Sequence, residues 1–272
     1  MILFVASKND PAAMNIAERL IAKYGFESGV ETYDGSPVFS KKLSNGKTAN
    51  LIYIGIDSIS TQSTVFPFSP SLLVFLSRHK SVSGRPTLSV HTPGNLGKAE
   101  LGGLPRTVSV SPASAMKEAL KAMKAAQEEM GLEYEVCYEC THHGPSLNVP
   151  TMFAELGSSE KQWADRDAAE AVATGAFAAA LAELVYPTVL GIGGPHYNAK
   201  FTRKALETET AFGHIVPKYA VSELDSEMLQ QCVGRTVEPV KKVVLDWKGM
   251  RGADKNQLLR LLAETSLEIE KI

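Results

Sequence analysis

The 272 residues are 44% hydrophobic and 21% charged with a formal net charge of −2, which suits one large domain and excludes a globally basic nucleic-acid binder. Three cysteines, Cys137, Cys140 and Cys232, leave an odd count and no disulfide framework, and Met1-Ile-Leu-Phe-Val-Ala-Ser lacks a charged leader, so a cytoplasmic enzyme is expected. The alanine-rich stretch from Ala168 to Leu184 is broken by Glu170, Thr174 and Glu183; no apolar run reaches the ~20 residues of a membrane span, which excludes insertion.

Ile2 to Ala6 reads as a compact strand, followed by Asn9-Asp10-Pro11, a cap and a starting proline for a helix over 12–24 that Gly25 ends. Leu51 to Ile56 is the next apolar run, Leu72 to Leu76 reads as helical, and Thr87 to Val90 reads as a strand leading into His91. Ser111-Pro112 opens a helix from about Ala113 to Met130 with Gly131 as its stop, and a strand follows from Leu132 to Cys140. A helix over 166–184 then precedes a short buried strand, Thr188 to Ile192. This alternation predicts an α/β fold, a mainly parallel mixed sheet flanked by helices, as a single domain over 1–272. From about residue 205 the pattern is less regular: Ser222 to Gln231 and Asn256 to Ala263 read as helices, and Lys242 to Leu245 as extended.

Three apolar runs end in histidine beside Gly and Pro: Val90-His91-Thr92-Pro93-Gly94-Asn95, Glu139-Cys140-Thr141-His142-His143-Gly144-Pro145-Ser146, and Gly191-Ile192-Gly193-Gly194-Pro195-His196-Tyr197-Asn198. Ligands of α/β sheets sit outside the carboxyl ends of strands, so these turns are expected to converge on one crevice. On an extended segment His142 and His143 point to opposite sides, one facing the crevice and the other anchored beneath it. His79 reads as structural or exposed. Glu155, in Pro150-Thr-Met-Phe-Ala-Glu155-Leu-Gly157, is costly to bury without a histidine, cation or metal as partner. Glu139 fits either the same site or a solvated face, and Asp57 is a further candidate of that kind.

Cys137-x-x-Cys140-x-His142-His143 superficially resembles a zinc set, but in a strand-like run the two cysteines point to opposite faces. Histidines from separate loops joined by Glu155 make a better N/O site with an open position for water. Dinucleotide-binding, P-loop, nucleophile-elbow and His-Glu-x-x-His motifs are absent. Basic residues cluster at Arg78, Lys80 and Arg85, at Lys117, Lys121 and Lys124 on one helix side, and at Lys200, Arg203 and Lys204. They fit either phosphate contacts or a solvated face.

Thr141-His142-His143-Gly144-Pro145-Ser146, the stretch from Pro150 to Ser159, and Gly191 to Tyr197 together resemble the archaeal and plant type of D-aminoacyl-tRNA deacylase. So do Ser7-Lys8-Asn9-Asp10-Pro11-Ala12 and the turn at His91, and the resemblance spans most of the chain. It implies hydrolysis of the ester between a D-amino acid and tRNA, a zinc requirement, and a core like that of peptidyl-tRNA hydrolases and nucleoside phosphorylases.

The residue assignment is drawn from the chemistry. His142 or His143, with Glu155, activates water; amides around Gly193 and Gly194 receive the oxyanion. His91, His142, His143, Glu155 and His196 are the candidate zinc ligands. His214 is a further ligand or substrate-orienting candidate, although Gly213-His214-Ile-Val-Pro also reads as a buried strand start. Arg78, Lys80, Arg85, Lys200, Arg203 and Lys204 are expected to meet the acceptor end of the tRNA. Chirality is expected to be read by a rigid backbone wall that excludes the L-ester and tolerates varied D-side chains. No obligate protein partner is implied, and a monomer suffices. The alternatives are a nucleoside phosphorylase or small-substrate hydrolase on the same architecture, and a non-enzymatic RNA-binding module, which leaves the histidines and Glu155 without a task.

Overall fold

Asp10 and Gly25 bracket the first helix as expected. The Asp10 carboxylate accepts from the amides of Ala12 and Ala13 at 2.9 and 3.0 Å, and Gly25 adopts the left-handed φ of 64° that closes a helix. The computed structural model describes all 272 residues. In order, the first half runs β1 (Ile2–Ser7), α1 (Pro11–Tyr24), β2 (Glu27–Tyr33), β3 (Ser36–Lys42), β4 (Thr48–Ile54), β5 (Leu72–Lys80), β6 (Thr87–His91), β7 (Gly94–Asn95), β8 (Thr107–Val108) and α2 (Ala113–Glu129). It continues through β9 (Glu135–Tyr138), β10 (Thr151–Ser158), α3 (Glu160–Trp163), α4 (Arg166–Leu181), β11 (Thr188–Gly193), α5 (Ala199–Glu207), β12 (Ala211–Val216), α6 (Ser226–Gly234), β13 (Val240–Asp246), α7 (Gly252–Ala263) and β14 (Glu268–Lys271).

Eight strands form one mixed sheet in the order β2-β3-β4-β1-β5-β10-β6-β9. Its centre is parallel, β4-β1-β5-β10, while β6 runs antiparallel to β10. The α/β fold with a mixed sheet is thus as expected. Leu72 to Leu76 is a strand, however. All five residues are buried between β1 and β10, and a strand covered on both faces loses the alternation that distinguishes it from a buried helix. The hairpin β2–β3 was not anticipated; β2 is an exposed edge that buries none of its side chains.

Helices α1, α2 and α4 cover one face of the large sheet. Gly175 lets α4 approach α2, since a Cβ there would lie 2.4 Å from Met123 Cγ and 2.8 Å from the Ala119 carbonyl. The opposite face, with Val5, Phe75 and Phe153, is covered by Phe66, Phe68, Leu147 and Val149 from connecting segments.

The residues from 205 onward are more regular than their sequence suggested. Strands β12-β11-β13-β14 form a second, all-parallel sheet; its strands are short, which weakens any sequence periodicity. Lys117, read as either a phosphate contact or part of a solvated face, is 1% exposed, and its ammonium donates to the carbonyls of Ala205, Thr208 and Thr210 at 2.5, 2.5 and 3.2 Å. It thereby fastens α2 to the segment between α5 and β12. Glu238 makes a second tie, accepting from the free amides of Ala113 and Ser114 at the start of α2. No helix is long and apolar enough to cross a membrane.

Candidate active site

The chain leaves β9 at Tyr138 and reaches His142 and His143 within five residues. His143 lies in the left-handed region at φ 42°, so the segment is not extended there and the expected division of the two rings fails. Both line one cavity of about 1000 Å³, with ring centroids 4.2 Å apart. His91 joins them, 4.4 Å from His142 and 4.9 Å from His143. His91 ends β6 and His142 follows β9, and these two strands are parallel neighbours, so both arrive from the same carboxyl end. Because β6 is antiparallel to β10, His91 pairs with Phe153 and stacks on its ring at 5.2 Å.

In all three imidazoles Nδ1 faces a backbone carbonyl: Cys140 for His142 at 2.8 Å, Gly144 for His143 at 2.7 Å and Thr92 for His91 at 3.3 Å. The network therefore assigns the proton to Nδ1 and leaves the Nε2 lone pair free in each ring. His91 Nε2 is buried with no hydrogen-bond partner. Burial, followed by the neighbouring imidazoles, pushes the His142 pKa well down, and the same causes bring His143 to about 4. Both rings are neutral near pH 7.

A second network adjoins this set. Glu139, 1% exposed, accepts from Ser89 Oγ at 2.5 Å and lies 2.7 Å from His196 Nε2 and 3.0 Å from His79 Nδ1. Glu155, 2% exposed, lies 3.4 Å from His79 Nδ1 and 3.6 Å from His91 Nε2. Burial works against the charge on each carboxylate, yet the imidazoles outweigh it, holding Glu155 at about 2 and Glu139 well below the usual range. Burial likewise opposes charge on His79, but Glu139 and Glu155 raise it to about 11; Cys140 and Glu139 raise His196 to about 10. His79 Nε2 meets the Tyr197 hydroxyl at 2.6 Å. Glu139 is thus a site residue, not part of a solvated face, and His79 lies at the centre.

Sequence reasoning missed His79 because Arg78-His79-Lys80 ends a strand that was read as a helix; its signal was the same apolar run closing in histidine. Tyr197 carried no signal beyond adjacency to His196.

Other expected contributors are placed elsewhere. Gly193 and Gly194 do not line the cavity. Their positive φ lets the chain pass Asp246 and Asn198, where Cβ atoms would lie 2.9 Å from the Asp246 carbonyl and 2.4 Å from Asn198 Nδ2, so an oxyanion role is not supported. His214 is fully buried in β12, bonded to Thr141 Oγ1 and the Arg235 carbonyl, and supports the site from behind. Cys137 belongs to none of the potential donor clusters, whereas Cys140 Sγ lies 3.4 Å from His196 Nδ1.

Among the basic residues, Arg78 and Lys80 line the cavity, as does Asp57. Lys200 pairs with Asp246, Lys204 with Glu270 and Arg85 with Glu135, and Arg203 lines a separate groove beside Lys121 and Lys124.

Comparison with known proteins gives the family. The family model for D-aminoacyl-tRNA deacylase matches residues 66–270, which include all five clustered histidines and both carboxylates. The D-aminoacyl-tRNA deacylase of Thermococcus onnurineus is 38% identical over 98% of each chain, and that of Pyrococcus furiosus is 38% identical over the full length of both. A crystal structure described as a conserved protein of unknown function superposes with a TM-score of 0.87 at 30% identity, covering 100% of this chain and 95% of its own. The nucleoside phosphorylase and RNA-binding-module alternatives therefore give way: this chain belongs to the D-aminoacyl-tRNA deacylase family.

Proposed function

We propose that this protein hydrolyses the ester of D-aminoacyl-tRNA to free D-amino acid and tRNA, a chiral proofreading step in translation quality control. The observation that carries the reading, within a chain of this family, is the cluster of three imidazoles, His91, His142 and His143, with His142 and His143 opening onto one cavity. Catalysis is expected in the cytoplasm, by a monomer.

The donor set fits zinc. His91, His142 and His143 each offer a ring nitrogen within 4.8 Å of the others, each ring is oriented through Nδ1 by a carbonyl, and the orphaned His91 Nε2 is an atom a metal would satisfy. A second possible set, His79, Glu139 and His196, already spends its atoms on mutual hydrogen bonds. Zinc in the first set would supply a water deprotonated near neutral pH.

The chain's own residues do the rest. Glu155, ionised across the neutral range, holds His79 at Nδ1 and orients a water near the imidazoles. His79 in turn fixes the Tyr197 hydroxyl at the cavity wall. Arg78 and Lys80, which line the cavity, meet phosphates of the acceptor end.

The test is amino acid release from matched D- and L-tyrosyl-tRNA, with and without chelation and zinc restoration. Release from the D-ester alone, lost on chelation and regained with zinc, is expected. Hydrolysis of neither ester under zinc-replete conditions would sink the reading.

A further inference from the structure

Leu101 is 59% exposed, yet it lines the cavity beside His142 and His143. A loop that carries an exposed leucine is ordinarily free to move, whereas the backbone of this one is pinned along its length. Gly144, directly after His143, donates its amide to the Leu101 carbonyl at 2.9 Å. Asn95 Nδ2 donates to the carbonyls of Gly102 and Leu104 at 2.8 and 3.2 Å, and the Leu104 amide donates to Ser146 Oγ at 3.1 Å.

Backbone meets backbone on both sides of it. A Cβ on Gly102 would lie 2.0 Å from the Ile59 carbonyl oxygen, and one on Gly144 would lie 2.2 Å from the Gly103 nitrogen. Gly102 and Gly103 adopt φ of 73° and 77°, which only glycine takes without strain. The segment therefore cannot yield by rotating or by sliding past its neighbours.

We infer that Leu101 is the steric wall by which this site distinguishes D- from L-esters, an inference that rests on the deacylase reading. Inverting the α-carbon, with carbonyl and amine held in place, exchanges its hydrogen and its side chain. One enantiomer then drives its Cβ toward whatever stands on the hydrogen side. Discrimination by exclusion works only if that object cannot retreat, because a side chain carried on a mobile backbone gives way at small cost. Leu101 combines an apolar surface, a place in the cavity that His142 and His143 line, and a pinned backbone. Val82 also lines the cavity and is fully exposed, but its turn is closed by Ser81 and Ser83 and tied to the sheet by one bond, from the Ser81 amide to the Ser158 carbonyl at 3.3 Å. It has no comparable anchor.

The experiment measures release from D- and L-tyrosyl-tRNA by the full-length zinc-loaded wild type, Leu101→Ala and Val82→Ala. The expected result is a D/L rate ratio at least tenfold lower in Leu101→Ala, through a rise in the L-rate, with the ratio in Val82→Ala within threefold of wild type. A gain of L-hydrolysis cannot come from misfolding. A Leu101→Ala ratio within threefold of wild type, a ratio lowered only by a slower D-reaction, or an equal effect in Val82→Ala would overturn this inference alone. A wild type that cleaves neither ester would overturn the deacylase reading and this inference together.

Discussion

Protonation of His214 gives the most direct quantitative handle on how the site is supported. The ring is fully buried, with Nδ1 3.1 Å from Thr141 Oγ1 and Nε2 3.3 Å from the Arg235 carbonyl. Thr141 Oγ1 also accepts from the Ile215 amide. The neutral ring satisfies this chain by donating at Nε2 and accepting at Nδ1, and a proton on Nδ1 would break it. Burial is the main cause that lowers the pKa from 6.5 to about 4. Between these values the unfolded chain binds more protons, so stability is complete above pH 6.5 and is lost progressively as pH falls toward 4. At about 1.4 kcal/mol per pH unit, the whole contribution is about 3 kcal/mol, and about 2 kcal/mol is already lost at pH 5. The assay is denaturant unfolding of wild type and His214→Asn at pH 7.5 and pH 5, where other titrating groups cancel in the difference. The stability advantage of wild type should shrink by about 2 kcal/mol at the lower pH. Parallel pH profiles would refute the argument.

His142→Ala should lower bound zinc, measured by elemental analysis, and cut turnover at least a hundredfold while tRNA affinity holds; full zinc content would remove His142 from the ligand set. Lys117→Met should destabilise the fold by about 2 kcal/mol in denaturant titrations, because the buried Ala205 carbonyl and the half-buried bonds to Thr208 and Thr210 lose their donor; a loss under about 0.5 kcal/mol would mean that water replaces the ammonium at no cost. Arg78→Ala with Lys80→Ala should weaken tRNA binding and flatten its dependence on log salt by about 1.4, near 0.7 per single-strand phosphate contact. Lys200→Ala should leave that slope unchanged, and an equal effect from it would contradict the assignment.

The sheet order was not legible, whereas much of the helical layer was. Asp10-Pro11 and Gly25 mark helix ends through local chemistry, which needs no tertiary context. Leu72 to Leu76 has no such marks, and only its position between two strands decides its conformation. The same limit applied at the site. His142, His143, His91, His196 and Glu155 announced themselves at run ends or in an apolar run, but the positive φ of His143 and the antiparallel β6 decide which way the rings face. Lys117 looked like a surface residue because its three acceptors come from a segment about 90 positions away. Gly193 and Gly194 were read as oxyanion donors from their type alone, when Asp246 and Asn198 explain them.

His79, His91, His142 and His143 belong to the large sheet and its loops, whereas His196 follows β11 of the smaller one. The contact that unites them is short: the Cys140 amide reaches the His196 carbonyl at 3.0 Å, and Asn198 returns a bond to Tyr138. A chain whose smaller sheet has not docked leaves Glu139 without one of its two imidazole partners, and so holds an incomplete site. Hydrolytic competence is in this sense an assembly product. It arises at the seam between the two sheets and reports on their packing more sharply than secondary structure content does.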